Sequence, residues 1–392
     1  MNMHKIFGVT LLISLFLAPF SSIQAALLGS TKATQENETT ETDVWLLTYY
    51  VGYQNGTLKP KDIDFSLMTH VVVGGVGVQA DGTLDEHWHL PNGDGRKMAL
   101  DVGERAEKAG VKKLVWLGGP NEEDKFFSAT SDANRAKFVK NILTLLNDIN
   151  YDGIDIDWEP IRAQDEPQIL KLVQDLRKAD PDIIITVPVN WVPSSIIFSK
   201  NLSLYKNLSP YVDKMFIMSY SMAGPWSGWK SWHGGALGGE SISTPASIKT
   251  SVYAYLRAGV PEKKLGIGIG TYATCWESPV KRPNQTLPTS FYSRDMHTMS
   301  MRTMMEDYYK RKYEEWDNKA KVPYLSSSKK IGDFECGFIS YENKRSVEEK
   351  VAYMKRMNLG GVMVWNIGTG YFPKNSVSKR HPLLSATWDA LQ

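Results

Sequence analysis

Residues Gly153 to Glu159 read Gly-Ile-Asp-Ile-Asp-Trp-Glu, so three acids, Asp155, Asp157 and Glu159, alternate with Ile154, Ile156 and Trp158. Alternation at period two is the pattern of a β-strand, whose successive side chains point to opposite faces. The acids therefore share one face, each about 6–7 Å from the next at roughly 3.3 Å rise per residue. The apolar residues share the other face and can pack against covering helices. Like charges this close push at least one pKa upward, which is how a carboxylic acid is kept protonated near neutral pH for acid–base work.

Three readings fit the segment. It is a solvated polar face on an edge strand, a site for a hard cation, or a glycosidase acid with supporting carboxylates. A calcium site draws its acids from a glycine-containing turn rather than from a strand, which disfavours the second reading. No histidine pair stands at metal-ligand spacing, and His87-Trp88-His89 is the nearest to a cluster; neither a metal nor a cofactor is expected.

With Asp152 in front, the segment Asp152-Gly-Ile-Asp155-Ile-Asp157-Trp-Glu159 resembles the DxxDxDxE signature of glycoside hydrolase family 18, the chitinases and their relatives. It matches at all four acids. The resemblance extends over roughly Val44 to Trp388. It is carried further by Met218-Ser-Tyr220, similar to the family's MxYD element, and by Gly361-Val-Met-Val-Trp365, similar to its GGVMVW element.

Eight β-rich runs are expected to be strands: Val44–Tyr50, His70–Val78, Lys113–Leu117, Gly153–Trp158, Ile183–Val189, Lys214–Tyr220, Leu265–Ile269 and Gly361–Trp365. Several are nearly continuous apolar runs, as buried parallel strands are. Helical patterns fall between most of them, at Arg96–Ala109, Asp132–Ile149, Pro167–Lys178, Thr244–Arg257 and Ser346–Met357. Gly110, Gly259 and Pro261 stand where helices stop. Alternating β and α counted to eight predicts an α/β fold, a (β/α)8 TIM barrel. A doubly wound open sheet is the alternative, and no glycine-rich phosphate loop follows the first strand to support it. The motif strand is fourth in this count. Glu159 ends it, on the face where such barrels keep their chemistry.

A small insertion is expected between strands 7 and 8, at about 271–345. It reads as reduced in its first half, too slight to build a full wall on the cleft. Met296–Trp316 within it reads as helical.

The first 25 residues read as a secretory signal: Lys5, an apolar run from Ile6 to Leu17, and a small residue, Ala25, before the cleavage point. That run is shorter than the ~20 residues of a membrane span. Residues 26–43, rich in Thr, Glu and Gln, read as a disordered tether, and the barrel as 44–392. Secretion is the expected localisation, with a monomer the expected state. The two cysteines, Cys275 and Cys336, fit an oxidising compartment and can form one bridge, with two free buried thiols as the alternative. Lys and Arg number 45 against 43 Asp and Glu, a net charge of +2, which leaves no electrostatic footprint for nucleic acid.

The resemblance assigns roles. It makes Glu159 the general acid. The sugar's own 2-acetamido oxygen then attacks the anomeric carbon in place of an enzyme nucleophile, and configuration is retained. Asp157 would hydrogen-bond the acetamido N–H and stabilise its developing positive charge. Asp155, deeper on the same face, would share a proton with Asp157 as a coupled pair. Asp152, an odd number of positions away, reads as structural. Tyr220 would hydrogen-bond the acetamido carbonyl, with a core tyrosine as the alternative; the usual Asp after it is Ser221 here. Trp365 would form the floor under the reacting sugar. Tyr49, Tyr53 and Met218 are placed at the cleft, and Gly118 and Gly119 keep the backbone low for close approach of substrate. The family usually has Ser where Trp116 stands. Trp191, Trp226, Trp229, Trp232 and Trp276 fall in loops expected on the active face, as sugar platforms or as packing. The expected partner is an N-acetylglucosamine-containing polysaccharide or oligosaccharide: chitin, with N-glycans cut by an endo-β-N-acetylglucosaminidase, or a bacterial cell wall, as alternatives. A chitinase-like lectin is the non-catalytic alternative.

Overall fold

The computed structural model describes residues 44–90, 93–197, 202–292 and 296–392. The expected signal, cleavage point and tether lie outside the described residues. Among them, no helix is long and apolar enough to cross a membrane.

Parallel strands close into an eight-stranded barrel: β1 (Trp45–Val51), β2 (His70–Val78), β4 (Lys112–Pro120), β5 (Gly153–Glu159), β6 (Ile184–Val189), β7 (Lys214–Ile217), β8 (Leu265–Gly270) and β14 (Gly361–Trp365). The short β3 (Leu84–Asp85) adds antiparallel to β2. Each barrel strand pairs with its neighbour in chain order, and β1 pairs with both β2 and β14, which completes the closure. The fold is the expected (β/α)8 barrel.

Two apolar layers hold it. Leu47, Val72, Leu114, Phe216 and Met363 plug the barrel interior below Tyr49 and Trp116. Outside, the second set of strand residues meets the helices. The helix Arg135–Ile149 turns Phe138, Val139, Ile142, Leu145, Leu146 and Ile149 inward at helical spacing, and stops at Asn150 in the left-handed region. The helix expected from Thr244 starts at Ile248, because Ser247 caps it reciprocally with Thr250.

The strand expected to run to Tyr220 ends at Ile217. The Ser219 hydroxyl accepts from Gly268 N and donates to Gly268 O, both at 2.9 Å, in place of backbone ladder bonds. Tyr220 is therefore delivered by a turn, with Ser221 at φ 50°.

The insertion corrects one expectation. It is a five-stranded antiparallel sheet in the order β10 (His297–Ser300), β9 (Tyr272–Glu277), β13 (Cys336–Ser340), β12 (Val322–Ile331), β11 (Glu314–Asp317). It places Tyr272 in the cleft. Met296–Trp316 is not one helix but a strand, one helical turn at Met301–Thr303, a wide turn at Met304–Tyr308 and a second strand. The buried Met299, Met301, Met304 and Tyr308 fit neither period cleanly, and pairing with β9 and β12 decides the outcome. Trp276 and Phe338 stack in the insertion core.

Cys275 and Cys336 form a disulfide between β9 and β13, with Cα atoms 5.5 Å apart and a sequence separation of 61. Serine at both positions is expected to lower unfolding free energy by about 2–4 kcal/mol, since a long loop is no longer closed in the unfolded chain. Urea midpoints measure this, and an unchanged midpoint would refute it.

Candidate active site

On β5 the alternation behaves as written. Ile154, Ile156 and Trp158 are buried against the helices, and Trp158 stacks on Phe126 at 4.8 Å. Asp155, Asp157 and Glu159 face inward at increasing height. Asp152 sits below them, at the start of the strand, accepting from Lys113 N at 2.9 Å and Lys112 Nζ at 3.2 Å; it ties β4 to β5 and stands apart from the cleft.

Asp155 is fully buried. Tyr49 donates its hydroxyl to Oδ2 and Thr186 donates to Oδ1, both at 2.5 Å. Burial pushes its carboxyl up to about 7, against the pull of those two donors. Asp157 is 7% exposed and accepts from Trp116 Nε1 at 3.0 Å. Burial, then the charges of Asp155 and Glu159, push its carboxyl well above the ordinary range, and the indole N–H opposes them. Glu159 is half-buried at the rim, and burial raises it too. Each buried aspartate is thus held by a donor other than its neighbour. The coupling expected between Asp155 and Asp157 takes the form of charge repulsion in this arrangement.

Above the acids lies a cleft of about 420 Å³, lined by Tyr49, Trp116, Asp157, Glu159, Met218, Tyr220 and Trp365 among others. Trp365 meets Tyr49 edge-on at 4.9 Å and lies nearly parallel to Tyr220 at 6.4 Å. Burial keeps the Tyr220 phenol protonated, and nearby carboxylates reinforce this. The cleft offers a half-buried acid, a buried acceptor, a phenol donor and an aromatic floor, which suffice for protonating an oxygen and stabilising a cation beside it.

Gly118 and Gly119 do not line the cleft. Gly118 has φ +89°, and a Cβ there would lie 2.3 Å from Phe126 and 2.8 Å from the Asp157 carbonyl oxygen. Of the loop tryptophans, Trp191 reaches the cleft and clusters with Trp226 and Trp229, with ring centroids 4.8–6.2 Å apart. Trp232 and Trp276 are buried, their N–H groups bonded to the carbonyls of Ala246 and Trp232; they pack rather than face a ligand. Tyr53 stands exposed at the cleft. Among the described residues no group of three or more His, Cys, Asp or Glu is arranged to hold a metal.

Sequence reasoning missed Thr186 and Tyr272, and also Asn190, which lines the cleft. Thr186 had a signal: one polar residue in Ile-Ile-Thr-Val-Pro-Val, which the register sets opposite Asp155. Tyr272, which bonds Ser221 Oγ at 2.5 Å, had none.

The Asp155 shift has a sign for stability. With a folded pKa of about 7 against about 3.9 in the unfolded chain, the folded state keeps a proton that the unfolded state releases. This group's contribution to stability is full below about pH 4 and falls as pH rises to 7. Asp155→Asn should flatten that fall in urea midpoints across the window, and equal slopes for both proteins would sink the assignment.

Residues 46–370 match the family model described as glycosyl hydrolases family 18. A probable endochitinase of Caenorhabditis elegans is 26% identical over 370 residues, covering 86% of this chain and 58% of its own length. Probable chitinase 2 of Drosophila melanogaster is 24% identical, covering 82% of this chain and 70% of its own length. The chain thus spans little more than half the length of the first of these relatives. Among solved structures, the Group IV chitinase of Ostrinia furnacalis in complex with allosamidin superposes with TM-score 0.74 at 27% identity, covering 89% of this chain and 98% of that one.

Proposed function

The chain belongs to glycosyl hydrolases family 18, and on that footing we propose that it is a secreted, retaining hydrolase of β-1,4-linked N-acetylglucosamine polymers. The observation that carries the reading is the graded burial of Asp155, Asp157 and Glu159 on one strand, beneath a cleft floored by Trp365 and flanked by Tyr220.

Glu159 gives its proton to the glycosidic oxygen as the bond to the anomeric carbon breaks. The acetamido oxygen of the same sugar closes onto that carbon and forms an oxazolinium ring. Asp157 accepts the acetamido N–H and balances the positive charge, and the Tyr220 hydroxyl bonds the acetamido oxygen as it attacks. Glu159, now ionised, takes a proton from water, which opens the ring from the face the leaving group occupied. Glu159 is reprotonated and configuration is retained. Asp155, tied to Tyr49 and Thr186, anchors the base of the ladder. The Trp191–Trp226–Trp229 cluster offers aromatic faces for sugars further along the cleft. The proposed chain organisation is a cleaved signal at 1–25, a tether at 26–43 and a barrel from 44 to 392 that acts as a monomer.

The test is hydrolysis of a fluorogenic chitotrioside by the mature chain, with NMR of the first-formed anomer. Cleavage giving the β-anomer supports the reading. Chito-oligosaccharide binding without cleavage would replace it with a lectin, and neither would redirect the search to N-glycans.

A further inference from the structure

Trp116 takes no part in the roles above, yet it is held closely by its neighbours. Its indole meets Tyr49 edge-on at 6.1 Å, Trp365 edge-on at 5.6 Å and His89 at 5.4 Å. It lies over Gly74 and Gly75. A Cβ on Gly74 would come within 2.5 Å of the Trp116 Cβ, and one on Gly75 within 3.2 Å of its ring and 2.9 Å of His89 Nε2. Side chains and bare backbone hold the ring in this pose, where it also borders the cleft. In that pose its N–H reaches Asp157 Oδ2 at 3.0 Å.

The chemistry of that donor matters. A hydroxyl donates or accepts and so serves either protonation state of a carboxyl. An indole N–H only donates, so it favours the ionised form. We propose that Trp116 is a positioning residue, seated by the Gly74–Gly75 pair, that holds Asp157 as an ionised acceptor aimed at the substrate's amide N–H. This rests on the glycosidase reading for its consequence, though not for the contact itself. The other groups facing Asp157 are Asp155 and Glu159 on its own strand, with Tyr49 and Tyr220 across the barrel. Burial keeps both phenols neutral, so the charges that oppose its ionisation are those of Asp155 and Glu159, and the N–H acts against them.

Trp116→Phe keeps a ring and deletes the donor. The acidic limb of kcat/KM against pH, measured on a chitotrioside, is expected to move up by about one unit or more, since a hydrogen bond to a charged group is worth that much, while KM stays within a few-fold. A profile that keeps its limb and only drops in height would overturn the proposal. A second measurement needs no substrate and does not depend on how Trp116→Phe folds. The Trp116 indole ¹⁵N–¹H resonance should titrate with Asp157 in the wild type and lose that step in Asp157→Asn. His89, Asp155 and Glu159 are also able to move this signal, so the step that belongs to Asp157 is the one Asp157→Asn removes, and a titration of Asp157→Asn identical to the wild type overturns the proposal. If the wild type cleaves no chitotrioside, the reading as a hydrolase of N-acetylglucosamine polymers fails and the resonance alone decides the contact.

Discussion

Glutamine in place of Glu159 is expected to cut turnover of a chito-oligosaccharide on the order of 10³-fold, the middle of the range for losing a general acid. Glutamine preserves the shape and keeps a hydrogen-bond donor, but has no proton to give the leaving oxygen and no charge to activate water. Both halves of the proposed cycle stop. Affinity should survive, because the aromatic floor and the Asp157 and Tyr220 contacts are untouched. The signature is therefore a collapse of kcat with a titration-calorimetry Kd within a few-fold of wild type. Burial raises the Glu159 carboxyl, so the wild-type basic limb reports loss of its proton and should lie above the ordinary carboxylate range. Residual turnover within tenfold of wild type would show that another group supplies the proton.

The second large effect is at Asp157. Asparagine there should lower kcat by about 10²–10³-fold, the cost of removing one preorganised group that meets charge developing in the transition state. Its amide oxygen can still accept an N–H, so KM should change little; what is lost is the negative charge beside the forming oxazolinium. The position makes that charge costly to maintain, since Asp157 is 7% exposed and repelled by Asp155 and Glu159. Low exposure is also why the charge acts strongly on a bound sugar. Steady-state kinetics decide the matter. A rise in KM at constant kcat would mean that Asp157 binds substrate and transition state alike.

Much of the site was legible because its information is local. The alternation through Gly153–Glu159 names the strand, the inward face and the order of depth at once. Trp365 and Met218 were named by the resemblance of their segments to the family's GGVMVW and MxYD elements, and both reach the cleft. Legibility failed wherever a residue's meaning depends on its partner. Trp116 read as a departure at a strand end, and nothing in its neighbourhood named Asp157, 41 positions away. Thr186 bonds Asp155 across 31 positions, and Tyr49 bonds it across 106. Trp232 and Trp276 read equally as platforms or as packing because loop position alone was available; their burial and N–H bonds show them to be packing.

The sequence by itself determined the elements, their alternation into a closed barrel and the face on which three carboxyls stand. Those properties follow from side-chain period and from the need to bury one face of each element. The tertiary structure decided the partners: which donor each carboxylate meets, how Ser219 ends β7 early to deliver Tyr220 on a turn, and how the Met-rich segment becomes sheet. Those outcomes depend on register between strands and on closure of the barrel, where residues far apart in the chain settle which hydrogen bonds are made.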